Sequence, residues 1–128
     1  MAFRPLMLIV VDGTFAVCRL GADAPIPTWA STGSFFSITR TADELSIVCH
    51  EDAVPEGVIS ERGWCCLRVS GTKPFSVVGV LASLTAPLAD AGINVFAIST
   101  FDTDYLLVNK KDLAATVEAL RGQGHSVR

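Results

Sequence analysis

An α+β fold in two halves is what this sequence predicts, and three observations carry the prediction. Apolar strands joined by tight turns fill the first half, and a helical period appears only in the second. That second half then runs strand, helix, strand, strand, helix, strand. At 128 residues the chain is long enough to bury a core, since a domain of this size hides about two-thirds of the surface its unfolded form would expose.

Residues 6–11 and 14–20 flank Asp12-Gly13, a two-residue turn whose glycine tolerates positive φ, so a hairpin is expected there. In residues 24–30, Pro25 and Pro27 leave room for only a turn or two of helix, with Trp29 expected to plug the core. A second hairpin is expected from residues 35–40 and 45–50 across Thr41-Ala42-Asp43-Glu44. Residues 53–62 hold Pro55 and Gly57 beside Glu56, Glu61 and Arg62, which makes them the best place for a boundary between an N-terminal half, 1–60, and a C-terminal half, 61–128.

The period changes after residues 64–69, which read as a strand. Val77, Val80, Leu81, Leu84, Leu88 and Ala91 recur at three- and four-residue steps, the spacing of one helical face, and Gly92 is expected to end that helix as a left-handed cap. Pro87 inside the pattern predicts a kink. Residues 93–100 and 105–108 read as strands joined by Phe101-Asp102-Thr103-Asp104. Leu113, Val117 and Leu120 mark a second helix closed by Gly122, and residues 125–128 supply a last edge strand. Right-handed crossovers would put both helices on one face of a four-stranded antiparallel sheet, the ferredoxin-like plan. The first half repeats that plan loosely, with a short connection where the long helix should be. The uncovered sheet faces and edges call for packing between halves or between copies of the chain.

Composition narrows the function. Half the residues are hydrophobic and 18% are charged, a balance that suggests apolar surface buried in a dimer. The net charge of −3, with no basic run, argues against nucleic acid and anionic membrane as partners. The apolar run at residues 6–11 is far short of a secretory core or a membrane span, so a cytoplasmic location is expected. Cys18, Cys49, Cys65 and Cys66 form no C-x-x-C pair, and His50 and His125 stand alone, so buried reduced thiols are expected, with no metal and no cofactor. A nucleophile at Cys65 or Cys66 with His50 as base would lack a third orienting group, and the apolar Trp-Cys-Cys-Leu setting disfavours the thiolate, so no enzyme activity is expected.

Two stretches could carry binding chemistry. Residues 70–79, Ser-Gly-Thr-Lys-Pro-Phe-Ser-Val-Val-Gly, lead from a strand into a helix, where unpartnered first-turn amides suit a carboxylate. An ordinary strand-to-helix loop has the same spacing, and spacing alone leaves the two readings level. Residues 94–105 place two carboxylates and several hydroxyls at the exit of an apolar strand, where they could meet an ammonium or guanidinium group. A plain hairpin turn uses Asp in the same way, and on residue chemistry alone the turn is favoured.

Read together, residues 64–108, with Pro-Phe-Ser-Val-Val-Gly-Val-Leu, Ala-Pro-Leu-Ala-Asp-Ala-Gly-Ile-Asn-Val and Ile-Ser-Thr-Phe-Asp-Thr-Asp-Tyr-Leu-Leu-Val, resemble the ACT domain family, of the type found in aspartate kinases and the cytosolic arginine sensors of animals. Phe-Phe-Ser-Ile-Thr-Arg-Thr at 35–41 and Asp-Glu-Leu-Ser-Ile-Val at 43–48 resemble the partner ACT-like module, so the likeness covers almost the whole chain. The resemblance implies a regulatory module that holds an amino acid between two ACT modules of a homodimer and reports to a regulated protein partner. It implies that Phe75, Ser76, Gly79, Val80 and Leu81 form the loop and helix start receiving the ligand. Thr100, Phe101 and Asp104 would meet its side chain, while Asn94 and Val95 would come from the facing module of a second copy. At Ser76 and Val77 this chain lacks acidic residues that the arginine sensors carry, which leaves Asp104 to receive a cation. The alternative is a structural or partner-binding subunit with a vestigial ligand site.

Overall fold

Prolines decide how much helix each half of the chain keeps. The computed structural model describes residues 5–70 and 78–128, and its contacts divide the chain into two units, Gly13–Trp64 and Met1–Asp12 with Cys65–Arg128. In chain order the strands are β1 (Met7–Val10), β2 (Phe15–Leu20), β3 (Ser37–Arg40), β4 (Leu45–His50), β5 (Ile59–Val69), β6 (Val95–Ser99), β7 (Asp104–Asn109) and β8 (Ser126–Val127). The helices are α1 (Val80–Asp90) and α2 (Leu113–Gly122). Among the described residues no helix is long and apolar enough to cross a membrane.

The Gly13–Trp64 unit orders its strands β3-β4-β2-β5, every neighbour antiparallel. This is the ferredoxin-like order with the helices reduced to single 3-10 turns, at Thr28–Ser31 and Glu51–Ala53. Pro27 holds its own backbone extended at φ −70° and ψ 153° directly before the first turn. Pro55 disfavours helical geometry at Val54, which sits at φ −82° and ψ 120° and ends the second. Arg62 fastens that second turn, donating to the carbonyls of Glu51 at 2.8 Å and Val54 at 3.2 Å. The core is small: Ala16, Cys18, Ala30, Leu45, Ile47, Cys49 and Val54. Ala30, not Trp29, takes the fully buried place, and Trp29 lies half-buried against the margin. The imidazole of His50 lies against Phe15, with ring centroids 4.4 Å apart. A Cβ at Gly13 or Gly33 would come within 2.8 Å of that ring, and both glycines have positive φ, so neither position accepts a side chain.

The second unit departs from a four-stranded plan. Its order is β6-β7-β5-β1-β8, with β1 inserted antiparallel to β5 and parallel to β8. The hairpin expected at Asp12-Gly13 therefore does not form: β1 pairs with β5 and β8, and β2 pairs with β4 and β5. Leu8, at 0% exposure, is drawn into the helix-covered core with Leu67, Val69, Leu84, Leu88, Leu106, Val108 and Leu120, burial that a local hairpin would forgo. Each helix ends in the same capping motif. Gly92 at φ 75° lets its own N–H reach Ala89 and that of Ile93 reach Leu88, at 3.0 and 2.9 Å. The second helix runs through Gly122, and Gly124 at φ 93° is its left-handed residue, with His125 N bonded to Leu120 O at 3.1 Å.

Pro87 produces no break in α1. Having no N–H, it leaves the carbonyl of Ser83 without its helical donor. The ring of buried His125 answers: Nε2 lies 3.3 Å from Ser83 O, while Nδ1 accepts the N–H of Leu6 at 3.0 Å. With Nδ1 accepting, the hydrogen sits on Nε2, so one neutral tautomer ties β1, α1 and β8 together. His125→Phe should lower stability by about 2–4 kcal/mol in urea unfolding, because two backbone groups lose their partner. In a Pro87→Ala background, where residue 87 regains an N–H for Ser83, that loss should shrink by about 1 kcal/mol.

Candidate functional site

Strand pairing brings the end of β5, at Val69, beside the β6–β7 turn of the second unit. The hydroxyl of Thr103 joins them, donating to Val69 O at 2.7 Å. The turn is internally bonded: Thr100 N donates to Thr103 O at 2.8 Å, and Thr103 N donates to Thr100 Oγ1 at 3.2 Å. Phe101 at its tip is 77% exposed.

Asp104 turns inward. Its side chain is fully buried, and Ser99 Oγ donates to its Oδ1 at 2.5 Å. Alternation along β7 puts Asp104 on the face of Leu106 and Val108, the face that the helices cover. Across the turn, Gly79 caps α1 in the left-handed region at φ 84°, a backbone state in which other residues are strained. No side chain caps the helix start and no acidic residue stands in its first turn, so its leading amides keep their partial positive charge. Val80 is buried and Leu81 half-buried.

Of the expected site residues, Thr100, Phe101 and Asp104 thus lie at the β6–β7 turn, and Gly79, Val80 and Leu81 lie at the start of α1. Phe75 and Ser76 lie outside the described residues. Asn94, exposed, and Val95, half-buried, stand at the far end of β6, about 20 Å of extended chain from Thr100. One copy of this unit cannot bring both ends of β6 onto one small ligand. Sequence reasoning passed over Ser99 and Thr103, whose hydroxyls hold the turn and the Asp104 carboxyl; nothing local distinguishes them from ordinary turn residues. The open groove on α2 lined by Leu113, Ala114, Val117, Glu118 and Arg121 includes none of the expected residues.

The thiols are poorly suited to nucleophilic work. Burial first, and the neighbouring Cys65 second, pushes the Cys66 thiol from 9.0 up to about 12. Burial and then Cys49 push Cys18 up to about 11, and burial raises Cys49 as well. Among the described residues no three His, Cys, Asp or Glu side chains converge as a metal site.

A family model described as ACT domain matches residues 59–122, and an N-terminal domain model matches residues 13–57. The human cytosolic arginine sensor for mTORC1 subunit 1 is 29% identical over 97 residues, 67% of this chain and 30% of that one. The chain spans 29% to 63% of the length of the curated relatives it matches. An X-ray crystal structure of a protein from Agrobacterium tumefaciens superposes with a TM-score of 0.94 at 42% identity, over 98% of this chain and 94% of that one. The ligand-free regulatory subunit of aspartate kinase from Thermus thermophilus shares the fold, with a TM-score of 0.65 at 11% identity over 91% of this chain and 95% of that one.

Two outcomes follow from this geometry. Ser99→Ala should cost roughly 2 kcal/mol of unfolding free energy by removing the donor to a buried carboxyl, a loss read from the urea midpoint. Because the folded thiol values lie above the unfolded ones, the thiol contribution is fully present below about pH 9 and is lost as pH rises toward 11–12. Unfolding midpoints should fall over that window, less steeply in Cys66→Ala, and the native thiols should resist dithionitrobenzoate near pH 8 until the protein unfolds.

Proposed function

Because this chain belongs to the ACT domain family, we propose that it is an amino-acid-binding regulatory module, with its ligand held between ACT modules of a homodimer. Two observations on the second unit support the reading: α1 starts at Gly79 without a side-chain cap, and the Thr100–Asp104 turn is tied through Thr103 to the end of β5, the strand that leads toward α1. A free amino acid is complementary to that pair. Its carboxylate suits helix amides, and an ammonium or other cationic group suits Asp104, which acts from beneath the turn through its buried carboxyl. Phe75, Ser76, Gly79, Val80, Leu81, Thr100 and Phe101 complete the wall on one copy, and Asn94 and Val95 enter from the other. The similarity to a cytosolic arginine sensor supports an amino acid as the ligand class and the cytoplasm as the location.

The chain on this reading binds and reports; it does not catalyse. The raised Cys66 and Cys18 thiols support that, since the thiolate is the nucleophilic form. A ligand that bridges two modules stabilises the arrangement in which the bridge exists, and shifts it only by its difference in affinity between arrangements.

Calorimetric titration of the full chain with each proteinogenic amino acid tests the proposal. One or a few should bind saturably at one equivalent per chain, and at about a hundred times the dissociation constant the gain is about 2.7 kcal/mol, read as a rise in Tm. A folded protein silent to the whole panel would overturn the reading in favour of a partner-binding subunit with a vestigial site.

A further inference from the structure

Helix α2 carries more apolar surface than the core beneath it takes up. Thr116 and Leu120 are fully buried, while Leu113 and Val117 pack on the margin of the core and stay half-buried. Leu113, Val117 and Arg121 follow one another at four-residue steps, with Ala114 and Glu118 beside them, so the five form one strip along the helix. That strip is the open groove, of about 550 Å³. Ala114, Glu118 and Arg121 are exposed.

Charge is spread unevenly around it. Residues 110–128 hold four bases, Lys110, Lys111, Arg121 and Arg128, and two acids, Asp112 and Glu118, a balance of +2; the whole chain carries −3, so residues 1–109 carry −5. Lys110 and Lys111 stand exposed in the turn before the helix, and among the described residues neither ammonium meets a carboxylate. Arg121 donates to the Val127 carbonyl at 2.9 Å, which leaves its remaining N–H groups uncommitted.

Shape and charge together select the occupant. A groove lined by one helix cannot enclose a small molecule, whose sites bury roughly 70–90% of its surface. It can receive the apolar ridge of a second helix, over the about 15 Å that ten residues span. Neither helix of a second copy offers the matching flank: α1 has one charged residue, Asp90, and α2 with its preceding turn has three bases against two acids. We propose that this strip docks an acidic amphipathic helix of another protein, its apolar residues on Leu113, Ala114 and Val117 and its carboxylates toward Lys110, Lys111 and Arg121. Glu118 sets the register, since the residue placed over it must be uncharged or basic. The rim cations speed encounter and choose the partner, and the apolar contact holds it. The strip shares no residue with the proposed amino-acid site, so the two readings stand or fall separately.

Three synthetic peptides of about four helical turns, each with one Leu/Ala face and all other positions Glu, Gln or Lys, test the docking by fluorescence anisotropy against the full chain. The Glu peptide should bind at least about tenfold more tightly than the Lys peptide at low salt, and added salt should narrow the difference. Lys110→Glu combined with Lys111→Glu should remove the preference. Ala114→Arg separates groove from charge. It adds a cation but fills the floor, so it should weaken the Glu peptide at least about tenfold, whereas attraction by charge alone predicts a gain. Circular dichroism and urea midpoints near those of the wild type show that the variants are folded. A Glu peptide held no better than the Lys peptide, or held undiminished by Ala114→Arg, overturns the proposal. So does a wild-type dimer that Ala114→Arg splits into monomers, which gives the strip to a second copy.

Discussion

A backbone carbonyl or amide taken out of water has to be answered by a partner, and the second unit is arranged around the answers it gives. Pro87 orphans the Ser83 carbonyl inside α1, and His125 meets it from the start of β8. The same ring accepts from Leu6 as the chain enters β1. At the end of β5 the Val69 carbonyl is met by the Thr103 hydroxyl. These are sequence-distant bonds, spanning 42, 119 and 34 residues, and each fixes a loop that local propensity leaves undetermined. The end of the unit that carries the candidate site is therefore built from long-range backbone satisfaction, with apolar packing behind it.

What could be read from sequence is what local physics decides. Val80, Leu84 and Leu88 recur at helical spacing because one face of α1 must enter the core, and all three are buried. Gly92 reads as a cap because only glycine adopts φ 75° without strain. The Leu45–His50 strand and its turn follow from alternation and from Thr41, whose hydroxyl accepts from Asp43 and Glu44 N–H groups. The fold class follows from this element order.

Non-local competition hides the rest. Asp12-Gly13 has hairpin chemistry, yet Leu8 gains more by burial beneath the helices than β1 gains by pairing with its neighbour in sequence. Gly122 and Gly124 are equally plausible caps on composition. Gly124 serves because its positive φ turns the His125 N–H back onto Leu120 O just before β8 begins. Asp104 has the composition of an exposed turn carboxylate, and only the β6–β7 register reveals that it faces the helix layer and takes the Ser99 hydroxyl.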